Sequence, residues 1–262
     1  MWNIIKAQNY QMKKDIMVVL LAICGLVLLI VPNVLDSSGD MDGLTGSVYL
    51  LQTSELLLLI FSIICLLLTC RICGWDYMDK TINYEILSGH SRKEVYWGRI
   101  VTSGIWSVVF CYVLGLLPLF IFTIVNGWGV NMNMGNVMFR YALMIFPILR
   151  MVCEFALLTF LLRNCYGAMV IGWTLFALSM IGVMFVEELT DTEWKLQLAY
   201  TNMSMLFDFS HGRLGYVGGE DVMIYETAVD LQTVLGTIGV SLLVSAVCLA
   251  LGYLYYKKSD QR

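Results

Sequence analysis

The chain has 262 residues, of which 59% are hydrophobic and only 14% charged, with a formal net charge of −4 and a mean hydropathy of +0.75. A soluble globular chain carries about 25% charged residues, so this composition excludes a water-soluble domain of useful size and predicts a single membrane domain over residues 1–262. The expected fold class is all-α integral membrane, because backbone groups in lipid must be satisfied within a segment and the apolar runs lack the alternation of barrel strands.

In chain order, residues 1–14 set Trp2, Ile4 and Ile5 among Lys6, Lys13 and Lys14, which predicts an N-terminal helix lying at the membrane interface. The apolar run that follows is longer than a signal-peptide core and residues 32–42 lack a small-residue cleavage pattern, so it is expected to be retained. Six runs are long enough to cross a hydrocarbon core, which takes roughly 20 apolar residues as helix. They cover residues 16–35, 56–72, 100–125, 137–162, 166–186 and 234–256. An even number of spans puts both termini on one side.

The basic residues indicate which side. Lys6, Lys13 and Lys14 precede the first span; Arg71, Lys80, Arg92, Lys93 and Arg99 lie around the segment between spans two and three; Arg163 follows span four; Lys257, Lys258 and Arg262 end the chain. The opposite loops are acidic or uncharged: residues 36–55 hold four acids and no Lys or Arg, residues 126–136 hold no charge, and residues 187–233 hold nine acids against Lys195 and Arg213. The positive-inside rule therefore makes both termini and the 73–100 segment cytoplasmic.

That segment reads as two helices and a corner. Met78, Ile82 and Ile86 recur at i, i+4 and i+8 and share one stripe of a short helix, with Asp76, Lys80 and Tyr84 opposite. Gly89 supplies a left-handed stop, and Ser91-Arg92-Lys93-Glu94 fits a capping box opening a second helix that runs into span three. Further along, Pro147 removes the donor to the Leu143 carbonyl and predicts a bend in span four. Arg150 and Glu154 follow it at i, i+4 spacing. Charges at that depth face a bundle interior, a partner or a water-filled cavity, so the pair is either an intrahelical lock or part of a transport path.

Ala168 and Gly172, Gly236 and Gly239, and Ser241 and Ser245 mark expected close helix contacts, while Tyr253, Tyr255 and Tyr256 form an interfacial belt. In the loop before the last span, Thr190-x-x-Glu193 is a second capping box, predicting one or two outer helices with Trp194, Leu198, Met205, Leu206 and Phe207. Gly212, Gly215, Gly218 and Gly219 follow as a flexible stretch. The eight cysteines all fall in spans or at their cytoplasmic ends, so no disulfide framework is implied. Cys70-x-x-Cys73 lacks the second pair a zinc site needs, and no P-loop, H-E-x-x-H or G-x-S-x-G motif is present. No catalytic residue, metal, cofactor or nucleic-acid partner is expected.

The stretch DYMDKTINYEILSGHSRKEVYWGRI resembles the first cytoplasmic loop of type-2 ABC exporter permeases, in particular the six-span kind of bacterial antimicrobial-peptide or lantibiotic export and immunity systems. The shared features are Asp76 and Asp79, Thr81, Ser88-Gly89, Ser91-Arg92 and Arg99; Lys80 stands where many relatives have Gly, and His90 also departs from them. The resemblance covers about a tenth of the chain. It implies a plasma-membrane permease subunit that pairs with a second permease, homo- or heterodimeric, and with separate ATPase subunits. Asp76, Met78, Asp79, Thr81, Ile82, Glu85, Ile86, Ser91 and Arg92 would form the ATPase-coupling segment. The cargo implied is an amphipathic peptide or lipid-like molecule. A secondary transporter built on Arg150 and Glu154, or a membrane scaffold or sensor, are the alternative classes. The charge asymmetry makes a direct prediction: cysteine-accessibility labelling places residue 85 on the inner face and residue 200 on the outer face, and labelling of both from one side overturns the six-span arrangement.

Overall fold

The computed structural model describes residues 1–36, 44–79, 85, 87–190, 206–207, 209, 212–217, 220–225 and 227–258. Among them, helices α1 (Trp2–Lys14), α2 (Ile16–Asp36), α3 (Gly46–Met78), α4 (Arg92–Asn126), α5 (Met134–Leu143), α6 (Ile145–Leu162) and α7 (Cys165–Thr190) are followed by strands β1 (Gly212–Val217) and β2 (Glu220–Tyr225) and by helix α8 (Leu231–Lys258). Five helical segments are long and apolar enough to cross a membrane: Ile16–Leu35, Gly46–Met78, Arg92–Asn126, Met134–Leu162 and Leu231–Lys258; Cys165–Ser179 is a shorter apolar helix.

Helix α3 is the centre of the bundle. Its most apolar window is 72% buried, against 33% in α4, 22% in α2 and 17% in α8, and it packs against α4, α6, α7 and α2. The outer helices turn one apolar stripe away from the protein: Ile16, Leu20, Ile23, Val27, Val31 and Leu35 on α2, and Ile105, Val109, Val113, Leu117 and Ile121 on α4, are exposed at helical spacing. Continuous exposed apolar stripes of this length are what a lipid solvent selects.

Local chemistry sets the helix boundaries. Helix α1 ends where Asp15 turns extended, and the Asp15 carboxylate accepts from the Met17 N–H at 3.0 Å, so one residue stops α1 and caps α2. Ser91 and Glu94 form the expected capping box at the start of α4, with Gly89 at φ +95° ahead of it. The expected fourth span is broken at Met144 between α5 and α6. Pro147, three residues on, has no N–H for the Leu143 carbonyl, and the Met144 N–H is shared between its regular helical partner, the Arg140 carbonyl, and the Tyr141 carbonyl of a tighter turn, each at 3.1 Å. Gly252 lets α8 approach α4 closely: a Cβ there would lie 2.7 Å from the Tyr96 hydroxyl, which donates to the Leu249 carbonyl at 2.8 Å.

Several expectations change. Helix α3 continues unbroken through Asp76 to Met78, so the residues at the front of the expected short helix belong to the last turn of a 33-residue helix. Thr81, Ile82 and Ile86 lie outside the described residues. The N-terminal helix buries Ile4, Ile5, Gln8 and Met12 against α4, leaving Trp2 and Tyr10 exposed. The glycine-rich stretch is an antiparallel hairpin, with Leu214 opposite Met223 and Gly212 opposite Tyr225, so the helical bundle carries a small β element. Helix α7 runs to Thr190, and Glu193, Trp194, Leu198 and Met205 lie outside the described residues. Gly172 marks a contact within the bundle, a Cβ there meeting Leu66 at 2.7 Å, whereas nothing stands within 4 Å of one at Gly236 or Gly239.

Candidate functional site

Two polar constellations stand out against the apolar bundle. The first lies where the end of α3 meets the beginning of α4. Arg99, two turns inside α4, is 0% exposed. Its Nη2 is 2.7 Å from Asp76 Oδ2 and 2.9 Å from Glu85 Oε2. The Gln8 side-chain amide donates to the same Asp76 oxygen at 3.2 Å, which brings α1 into the cluster. Glu85 is helical and its carbonyl closes the turn that follows: the Ser88 hydroxyl donates to it at 2.8 Å and the His90 N–H donates to it at 3.3 Å.

Neighbouring charges extend the tie. Arg71 Nε donates to Asp15 Oδ2 at 2.7 Å while its guanidinium lies 3.8 Å over the Trp75 ring, a desolvated cation–π geometry. Arg92 Nη1 donates to the Lys257 carbonyl at 3.3 Å, joining the start of α4 to the end of α8. Trp106 Nε1 donates to Asn9 Oδ1 at 2.7 Å. One end of the bundle is thereby bound together by polar links between α1, α3, α4 and α8.

Of the candidate coupling residues, Asp76 and Glu85 are brought together on Arg99. Met78, Asp79 and Ser91 are exposed and Arg92 is half-buried, so they share the surface of that same end. Sequence reasoning placed Arg99 only as the basic residue ahead of span three. No spacing rule connects residues 76, 85 and 99, because they meet through the return of the chain rather than along one helix.

The second constellation is inside the bundle. On α6, Arg150 is 0% exposed and its Nε lies 3.5 Å from Glu154 Oε1, whose side chain is 30% exposed. Glu154 opens into a cavity of about 280 Å³ between α6, α7 and α8, lined by Met151, Phe155, Gly172, Phe176 and Cys248 among others. The arrangement combines both sequence-level alternatives geometrically: the cation is locked in the packing, and the carboxylate reaches a space large enough for a ligand.

Arg140, on α5, has a different task. Its guanidinium donates to the carbonyls of Thr227 at 2.8 Å, Leu206 at 2.8 Å and Ala228 at 3.3 Å, and lies 5.1 Å from the centre of the Phe209 ring. It fastens the chain on either side of the hairpin to the bundle, and Asn131 completes the attachment through the Met223 carbonyl at 3.0 Å. The cysteines are free thiols. Among the described residues no group of His, Cys, Asp and Glu is placed to hold a metal ion.

The two buried ion pairs predict a contrast. Arg99→Met leaves two carboxylates facing a space built for a guanidinium and costs about 3–5 kcal/mol, the penalty for breaking a buried pair from one side. Arg150→Leu combined with Glu154→Leu removes both charges of a neutral pair and is close to neutral for folding. Thermal unfolding of the purified variants checks both; equal Tm values for Arg99→Met and the unmodified chain would show that the Arg99 cluster holds nothing together.

Compared with models of known protein families and with curated proteins, the chain matches none, so what these two constellations do has to be argued from their own chemistry.

Proposed function

We propose that this chain is the membrane-spanning permease subunit of an ATP-binding-cassette exporter of a bacterial plasma membrane. In this reading six helical segments span the bilayer, α7 being the fifth, and both termini and the 73–100 segment are cytoplasmic. The chain pairs with a second permease subunit, and separate ATPase subunits engage the segment after α3. The observation that supports the reading best is the Arg99 cluster. The segment following one spanning helix is tied through Glu85, and the last turn of that helix through Asp76, to a buried guanidinium at the foot of the next, so displacement of that segment has to move α4 with it or separate a buried pair.

The mechanism follows from those links. ATP-driven closure of the partner subunits presses on the surface formed by Met78, Asp79 and the sequence stripe continuing through Ile82 and Ile86, in the helix-in-groove mode. Thr81 and Ser91-Arg92 flank that stripe. Because α4 is one helix from Arg92 to Asn126, a tilt at its foot is delivered to its far end, a rigid-body motion of packed helices. The cargo is an amphipathic peptide or lipid-like molecule taken from the cytoplasm or the inner leaflet. ATP hydrolysis belongs to the partner chain, and this chain is not itself an enzyme.

A second reading has one specific observation in its favour: Glu154 beside Arg150 and open to a cavity is what an ion-coupled secondary transporter requires. The two readings separate in one experiment. The tagged chain is expected to co-purify with an ATP-binding-cassette ATPase, and Ile82→Asp is expected to lower that yield by at least about ten-fold, since a desolvated groove penalises an uncompensated charge. The Tm of the isolated permease should stay unchanged. Loss of folding with undiminished ATPase association in the surviving protein overturns the exporter reading.

A further inference from the structure

The cavity between α6, α7 and α8 has one strong polar group. Its lining is apolar along Met151, Phe155, Leu158 and Leu175, the Cys248 thiol is a weak donor, and Glu154, which faces the Arg150 guanidinium at 3.5 Å, also lines it. An ionised carboxylate only accepts hydrogen bonds. Ser179 Oγ, also on the wall, has its proton committed to the Phe176 carbonyl at 2.7 Å, so it too faces the cavity as an acceptor. Arg150, paired with Glu154, is 0% exposed and is not among the side chains that line the cavity. The strongest polar group on the walls, the Glu154 carboxylate, therefore asks for a hydrogen-bond donor on an otherwise apolar molecule and disfavours an anion.

The surroundings say where such a molecule comes from. Leu175 on the cavity wall is exposed, as are Leu178 on α7 and Val247 and Leu251 on α8. The cavity thus lies among exposed apolar side chains, which in the six-span reading face lipid. Its volume of about 280 Å³ is at the small end of ligand pockets, enough for one alkyl chain and a compact head.

We propose that this cavity binds a single-chain amphiphile whose head donates hydrogen bonds, an alkyl amine or alkyl alcohol in chemical terms, with the head on Glu154 and the chain along Phe155, Leu158 and Phe176. The inference names the cargo chemistry of the exporter reading and rests on that reading only in calling the occupant cargo; binding itself needs no ATPase. Amine and hydroxyl share the donor that Glu154 requires, and anionic heads lack it.

The test is photolabelling of the full chain in vesicles of uncharged lipid, with diazirine-bearing dodecylamine, dodecanol and dodecyl phosphate, and adducts mapped by mass spectrometry. Adducts on Met151, Leu175 or Cys248 are expected with the amine, the alcohol or both. The preference over the phosphate should be about ten-fold or more, which is what one hydrogen bond to a charged acceptor supplies. Arg150→Leu with Glu154→Leu should erase the head preference while leaving chain labelling. Leu175→Trp, which fills the cavity without touching a charge, should abolish labelling altogether and serves if the double variant fails to fold. Equal labelling by all three probes, adducts that map away from the cavity, or unchanged labelling in Leu175→Trp overturns the proposal. Selective labelling in a chain that captures no ATPase would leave the binding site standing and remove the exporter reading.

Discussion

The guanidinium of Arg99, buried between the carboxylates of Asp76 and Glu85, is the constraint on which the rest of this structure depends. A cation without access to water costs several kcal/mol unless an anion and hydrogen bonds offset it. Asp76 can serve only if α3 stays helical to its last turn, Glu85 only if the chain folds back, and Arg99 only if α4 begins early enough to bring its second turn to that place. The capping box at Ser91 and Glu94 fixes that beginning. Gln8 on Asp76 then positions α1, and the bundle end closes.

The same rule governs the other buried and partly buried cations. Arg71 takes Asp15 and the Trp75 ring, Arg140 takes three backbone carbonyls, and Arg150 takes Glu154. Arginine suits this use because its planar fork satisfies several acceptors at once and stays charged at any depth. The lengths of α3 and α4 follow. At about 1.5 Å per residue, helices of 33 and 35 residues run about 50 Å, well beyond the roughly 30 Å of a hydrocarbon core. Their polar ends are extensions of the spanning helices rather than separate pieces.

What was legible in the sequence was local. The capping box, the stop at Gly89 and the break before Pro147 each depend on residues within one helical turn, and each is where the pattern put it. The apolar runs were legible because composition alone selects lipid. The continuation of α3 was not: Arg71, Asp76 and Asp79 look like the end of a span, and only partners on other elements make the first two tolerable in a helix packed against the bundle. The hairpin was misread for a different reason. Four glycines suggest flexibility, yet the two six-residue segments 212–217 and 220–225 pair antiparallel, from Gly212 with Tyr225 to Val217 with Glu220. Tyr225 N–H to the Asn131 carbonyl at 2.8 Å then anchors it to a loop about 90 residues away, a contact no local pattern encodes.

The two buried ion pairs differ in what they connect. The Arg99 cluster joins residues from α3, the following loop and α4, so its polar cost returns as tertiary order. The Arg150–Glu154 contact lies within one helix at i, i+4. Apolar side chains at both positions would pack a bundle interior at lower cost. In the proposed reading, a carboxylate kept at that depth and lining a cavity between α6, α7 and α8 acts on what enters the cavity; α6 and α7 pack directly against α3, as does α4 with the Arg99 cluster at its foot, and α8 packs on α6.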